Sequence, residues 1–185
     1  KTLDKYGPIQ TWSRSLYADL INKLVVDENT KPYVIAFDIT FSGNVSEDDK
    51  LLAEAAANHG NVVVVSNLKY SQKAEVDQDG IMYYPVEGIV LPYDQLMECT
   101  YTGFSNVAQD SDGTVRRMIP TEFYDGTEYG MFSKVIYERY CAVMGRTPDT
   151  IPTDFTGRSI INFSGRPGEY ECLSMADVIE GNIDP

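Results

Sequence analysis

Tyr33-Val34-Ile35-Ala36-Phe37-Asp38 and, one helix later, Asn61-Val62-Val63-Val64-Val65-Ser66 decide the fold. Each is a short unbroken apolar run that ends in a polar residue. Runs of this kind, rather than an alternation, mark strands covered on both faces, as parallel strands are. Between them, Ser46-Glu47-Asp48-Asp49 reads as a capping box with Asp49 at the third helical place. Leu51, Leu52, Ala55 and Ala56 supply an apolar helix face, and Gly60 ends the helix. Upstream, Ser13 is the expected N-cap of a helix over 13–25, with Leu16, Leu20, Ile21 and Leu24 at helical spacing. The order helix, strand, helix, strand predicts an α/β fold: a three-layer α/β/α domain with a mixed, largely parallel sheet.

The rest of the chain extends this reading. Residues 67–93 carry polar residues, Asp79-Gly80 and two prolines among aromatics, and read as a variable, hairpin-bearing insertion. A short helix is expected over 91–97. Tyr101–Asn106 and Thr114–Ile119 read as two strands of a hairpin joined by the Asp110–Gly113 turn. Residues 130–144 form a third long helix, 159–163 a further strand, and 174–180 a last helix opened by Ser174 and Asp177.

At 185 residues the chain suits a single domain, and a 43% hydrophobic share supplies a core. Acidic residues number 28 against 15 basic ones, a formal net charge of -13. That excess opposes binding to nucleic acid and to anionic lipid, both of which require a basic surface. No run reaches the ~18 apolar residues of a membrane span. Cys99, Cys141 and Cys172 are too far apart for a zinc motif, and the lone His59 does not complete one. Small buried apolar side chains are the favoured role for the three; one disulfide remains open, and the sequence does not name its pair.

Several short motifs recur in a fixed order. They are Thr11-Trp12-Ser13-Arg14; the strand end Ala36-Phe37-Asp38-Ile39-Thr40-Phe41-Ser42; Asp48-Asp49 opening Leu51-Leu52-Ala53; and Gly60-Asn61-Val62-Val63. Gly103-Phe104-Ser105-Asn106 then leads through Asp110-Ser111-Asp112-Gly113 into Thr114-Val115-Arg116-Arg117. Asn162-Phe163-Ser164-Gly165-Arg166-Pro167-Gly168 and Ser174-Met175-Ala176-Asp177-Val178 close the series. Their order and spacing over nearly the whole chain resemble the type-2 CHASE domain, the cyclase/histidine-kinase-associated sensory extracellular domain of bacterial membrane receptors. The resemblance implies a sensor outside the bacterial plasma membrane, in a membrane-anchored parent. It also implies a small-molecule or protein signal, no catalysis by the domain and no cofactor. The effector would be a nucleotide cyclase first, or else a histidine kinase, diguanylate cyclase or protein kinase. Such effectors work in pairs, which is compatible with a homodimer. The family commonly begins one strand earlier and ends one strand later, so two sheet strands are expected to be missing here, leaving open strand edges.

The candidate ligand contacts are Arg14, Asp38, Asp110, Asp112, Arg116, Arg117, Asn162 and Arg166; no catalytic or metal-binding residue is expected. Asp110 and Asp112 resemble the start of a calcium loop, but Thr121 stands where its closing glutamate belongs, so a turn capped by its own aspartates is favoured. Arg116 and Arg117 should face opposite sides of a strand, one paired with an acid and one in solvent; an anion clamp is the functional reading. Asp38 ends a strand where α/β folds bind ligands. It could serve a phosphatase-like enzyme, but Thr40 replaces the second aspartate, and a bond to Arg14 or a helix N-terminus is favoured. The loop 164–168 could cradle an anion through its backbone, with ordinary loop packing as the favoured reading. Tyr83, Tyr84, Tyr93 and Tyr101 gather near the insertion and would line either a pocket or a satellite core.

Overall fold

In the computed structural model, which describes residues 1–27, 29–43, 46–107, 109–110, 112–166 and 168–183, elements follow in this order. The first are α1 (Thr2–Tyr6), α2 (Ser15–Leu24), β1 (Ile35–Phe37), α3 (Glu47–His59) and β2 (Val62–Tyr70). Next come β3 (Glu75–Val76), β4 (Met82–Tyr83), β5 (Val86–Val90), α4 (Asp94–Met97) and β6 (Tyr101–Phe104). The chain continues through β7 (Arg117–Met118), β8 (Thr121–Tyr124), β9 (Thr127–Gly130), α5 (Phe132–Val143), β10 (Ser159–Ile160) and α6 (Met175–Glu180).

β2 is the axis of the main sheet. Its first half pairs in parallel with β1 on one edge and β6 on the other, Val63 standing against Ala36 and Tyr101. Its second half pairs antiparallel with β5, Asn67 against Val90 through Tyr70 against Val86. The fold is thus mixed α/β with a mixed sheet. Side chains alternate between the faces of a strand, and the burial follows that rule. Val62 and Val64 enter a core with Tyr17, Ala18 and Ile21 of α2, Leu52, Ala55 and Ala56 of α3, and Phe37, Phe41 and Leu96. Val63 and Val65, equally buried, point to the other face. There α5 crosses β6 and β2, so closely that a Cβ on Gly103 would lie 2.6 Å from Phe132 Cα.

The first half of the chain follows its local signals. The capping box forms as expected, Asp49 accepting the Ser46 N–H at 2.5 Å. Gly60 closes α3 in the left-handed region at φ 77°, where glycine is strain-free. Leu51 departs from the expectation: it is 48% exposed, and Leu52, Ala53, Ala55 and Ala56 form the buried stripe. Ser13 lies one residue before the helix cap, its hydroxyl accepting the Ser15 N–H at 3.1 Å.

Two expectations are corrected. The stretch 67–93 is not wholly an outgrowth from the sheet, because Asn67–Tyr70 completes β2 and Val86–Val90 is a sheet strand; only the β3–β4 hairpin between them projects. The hairpin expected from 101–106 and 114–119 does not form. The parallel edge of β2 takes Tyr101–Phe104, and Arg117–Met118 pairs instead with Ser159–Ile160. The turn itself is real, with Asp110 N–H donating to Thr114 O at 2.9 Å and Gly113 N–H to Asp110 O at 2.8 Å. Ser111 of that turn and Pro167 of the 164–168 loop lie outside the described residues. The hairpin of this region is β8–β9, turned at Asp125-Gly126.

The two helices at opposite ends of the sequence lie together. Lys1 Nζ pairs with Asp177 at 3.1 Å, and Thr2 Oγ1 contacts Ser174 Oγ at 3.1 Å and accepts the Ala176 N–H at 3.2 Å. Thr2 thereby caps α6 from another helix, where Ser174 and Asp177 alone were expected to do so. The three cysteines are free thiols: Cys141 is buried, Cys99 half-buried and Cys172 exposed.

Candidate functional site

A cleft of about 690 Å³ opens where the second half of β2 leaves the helical layers. Five short segments line it: Tyr70 from β2, Ile81–Tyr84 from the β3–β4 hairpin, Asn106-Val107, Ile119 with Thr121 and Glu122, and Thr156–Arg158. Its size falls within the range of small-molecule sites.

Asn106 sets the inner end. Its Nδ2 donates to Leu68 O at 2.9 Å, and its Oδ1 accepts the Leu68 N–H at 2.7 Å. A carboxamide carries donor and acceptor in peptide geometry, so this side chain acts as one more residue of β6. Beneath lies a second apolar cluster of Leu68, Phe104 and Met131. The Ser66 hydroxyl, fully buried, has no protein partner among the described residues.

Glu122 sits on the cleft side of β8, while its neighbour Phe123 is 66% exposed. That is the reverse of ordinary strand polarity, in which the apolar residue turns inward. Tyr70 donates its hydroxyl to Glu122 Oε1 at 3.2 Å. Burial is the main cause that raises the Glu122 carboxyl above its usual range; the Tyr70 hydroxyl, the Phe123 N–H and the Arg158 charge oppose it. Burial also raises the Tyr70 phenol, followed by the Glu122 charge. Arg158 is held by its loop: Asp154 Oδ1 accepts the Thr156 N–H at 2.8 Å and the Arg158 N–H at 3.1 Å.

Of the residues singled out in the sequence, the structure brings four together, though none of them lines this cleft. Arg116 donates through Nη1 to Asp110 Oδ2 at 3.0 Å and through Nη2 to Asp112 Oδ2 at 2.8 Å, and Arg117 Nη1 reaches Asp110 Oδ1 at 3.0 Å. Both arginines therefore pair with acids, where only one was expected to; Arg116 is exposed to solvent as well. Strand alternation does not separate them because β7 begins only at Arg117. Asp112 also accepts the Thr114 N–H at 3.0 Å, as a self-capping turn does. The Arg116 hydrogen bonds, then the Thr114 N–H, lower its carboxyl to about 2.

The other four stand apart. Arg14 lies in the helical layer, donating to Asp49 Oδ1 at 2.5 Å and to the Ser42 carbonyl, with its guanidinium 4.9 Å from the centre of the Tyr93 ring. Its partner is Asp49 and not Asp38. Asp38 is exposed at the end of β1 and has no hydrogen-bond partner among the described residues. Asn162 and Arg166 are exposed in their loop, where the Glu169 carboxylate accepts the Arg166 N–H at 2.8 Å. The tyrosines divide. Tyr83 and Tyr84 line the cleft, Tyr93 is buried and donates to Asp49 O at 2.7 Å, and Tyr101 lies under Arg139 at 3.8 Å on the α5 face. Among the described residues, no group of three His, Cys, Asp or Glu side chains is placed to hold a metal.

Glu122 and Arg158 were not singled out in the sequence. The one signal for Glu122 was its place in Thr121-Glu122-Phe123-Tyr124, directly before Asp125-Gly126. Arg158 carries no local signal.

The chain belongs to the CHASE2 family: the family model described as CHASE2 domain matches residues 1–185. CHASE2 domains are extracellular sensory domains of signalling receptors and are not catalytic. No curated protein and no solved structure gives a significant match. No helix among the described residues is long and apolar enough to cross a membrane.

Proposed function

We propose that this chain is the ligand-sensing domain of a bacterial transmembrane receptor and that it regulates a nucleotide cyclase on the cytosolic side. The family supports the sensory role. The observation that carries the receptor reading is the contact of the first and last helices through Lys1–Asp177 and Thr2–Ser174. These contacts couple two helices far apart in the sequence, so a displacement of one reaches the other. A signal that favours one arrangement of the cleft would bias the α1–α6 pair, and the spans would pass that bias inward as a shift in population.

The test is second-messenger output from the receptor that carries this domain, assayed in membrane vesicles. Loss of Thr2 and Lys1 contacts, in the double variant Lys1→Ala/Thr2→Ala, should change basal cyclic-nucleotide synthesis while leaving the effector's nucleotide affinity alone. Unchanged synthesis would show that the α1–α6 contact does not reach the effector; a parent that makes no cyclic nucleotide but autophosphorylates on histidine would replace the cyclase with a histidine kinase.

A further inference from the structure

The arginines of this chain fall into two groups and one exception. Arg14, Arg116, Arg117 and Arg139 each hold a partner, Arg139 through Asn61 Oδ1 at 2.9 Å. Arg146 and Arg166 are exposed to water. Arg158 alone is withdrawn from solvent while its guanidinium makes no hydrogen bond and no ion pair among the described residues. A half-buried guanidinium with no hydrogen bond or ion pair among the described residues costs desolvation that the distant Glu122 charge offsets only in part.

Glu122 is its counterpart. It faces the same cleft, it is also half-buried, and a tyrosine hydroxyl is its one side-chain partner. The two charges are close enough to influence each other, yet they do not close into a salt bridge. One cleft therefore presents a separated cation and anion. Beside them stands a wall of Met82, Tyr83 and Tyr84, which are 67%, 44% and 54% exposed.

That combination selects by charge pattern. A simple anion would meet Glu122 and the field of a chain with net charge -13. A simple cation would meet Arg158. A molecule that carries both charges satisfies both. We propose that the cleft binds an α-amino acid or a similarly zwitterionic small molecule. Its carboxylate lies in the planar fork of Arg158, its ammonium on Glu122, and its apolar side chain against Tyr83 and Tyr84. This inference rests on the ligand-sensing reading given above and names the class of signal.

Calorimetric titration of the chain tests it, with a panel of L-amino acids headed by L-phenylalanine and L-leucine. Two singly charged analogues complete the set: phenethylamine, which lacks the carboxylate, and 3-phenylpropionate, which lacks the ammonium. At least one amino acid should bind about tenfold or more tightly than the analogue lacking either charge, the magnitude of one charge-assisted contact. Arg158→Gln should abolish the preference over phenethylamine and Glu122→Gln the preference over 3-phenylpropionate. Arg158→Lys keeps the charge but loses the fork, and should fall between the wild type and Arg158→Gln. Equal binding of L-phenylalanine and phenethylamine, or preferences that survive both substitutions, would overturn the proposal. Silence across the whole panel also rejects it; if receptor output still responds to Lys1→Ala/Thr2→Ala, the sensor role stands without this ligand class.

Discussion

The two halves of β2 sit in unlike surroundings. From Val62 to Ser66 the strand is sealed between helices, and the nearby charges are consumed internally, as in the Arg14–Asp49 pair. From Asn67 to Tyr70 it borders the cleft, where Glu122 and Arg158 keep charge in reserve and aromatic surface is left open. One strand thus joins a region that spends its polar groups on itself to a region that holds them back. The first half is built for stability; the second is where the proposed ligand would bind. The contrast can be broken or sharpened by substitution.

The largest effect should come from Gly103. A side chain there meets Phe132 Cα at 2.6 Å and Phe132 N at 2.9 Å, both backbone atoms that cannot swing aside. Gly103→Val should cost about 3 kcal/mol or more by overpacking, read by urea denaturation; a midpoint like wild type would refute the close packing of α5 on the sheet. Asn106→Ala comes next. It orphans the Leu68 N–H and carbonyl at the seam, for a loss of about 2 kcal/mol.

Ser66→Ala should act in the opposite sense. Removing a buried hydroxyl with no protein partner should leave stability unchanged or raise it by up to about 1 kcal/mol; a clear loss would reveal a hydrogen bond that the fold satisfies in another way.

Smaller still is Glu122→Gln, and its sign depends on pH. A carboxyl whose folded pKa is raised contributes stability below its unfolded value, near 4.5, and loses it as pH rises through the folded value. The glutamine variant should therefore melt slightly higher than wild type at pH 8, with the gain gone below pH ~4.5. Thermal melts at the two pH values decide this, and a variant that melts lower at pH 8 would show that Glu122 belongs to the scaffold. Least of all should come from Arg116→Gln. Its pairs with Asp110 and Asp112 are solvent-exposed, so the melting temperature should not move measurably.

Much of the helix-clad region was legible in sequence because its signals are local. A capping box, a four-valine strand and a closing glycine each act within a few residues, and their order fixes the layers. The cleft was less legible because its lining comes from five short segments, of which only the one starting at Asn106 touches a motif. The misread hairpin shows why. Three Asp-Gly pairs occur, at 79–80, 112–113 and 125–126. At the last alone are both residues at positive φ, 49° and 73°, as a two-residue hairpin turn of the favoured twist demands. The dipeptide is the same in all three; which strands stand free to pair is a tertiary question. The motif arginines and aspartates drew attention because they cluster in sequence, and clustering let them neutralise one another. Arg158 is distinctive because its guanidinium closes no pair among the described residues, which no local pattern displays.

Asn106 carries one more consequence. Past Phe104 the β6 side of β2 would present a bare peptide at Leu68, the kind of edge on which a strand from another molecule can grow into an aggregate. The carboxamide fills that place with the donor and acceptor an intruding strand would have offered, and it has no chain of its own to carry the ladder further. The open cleft is thereby separated from an open edge: the domain leaves aromatic surface uncovered without offering the backbone beside it to a second protein.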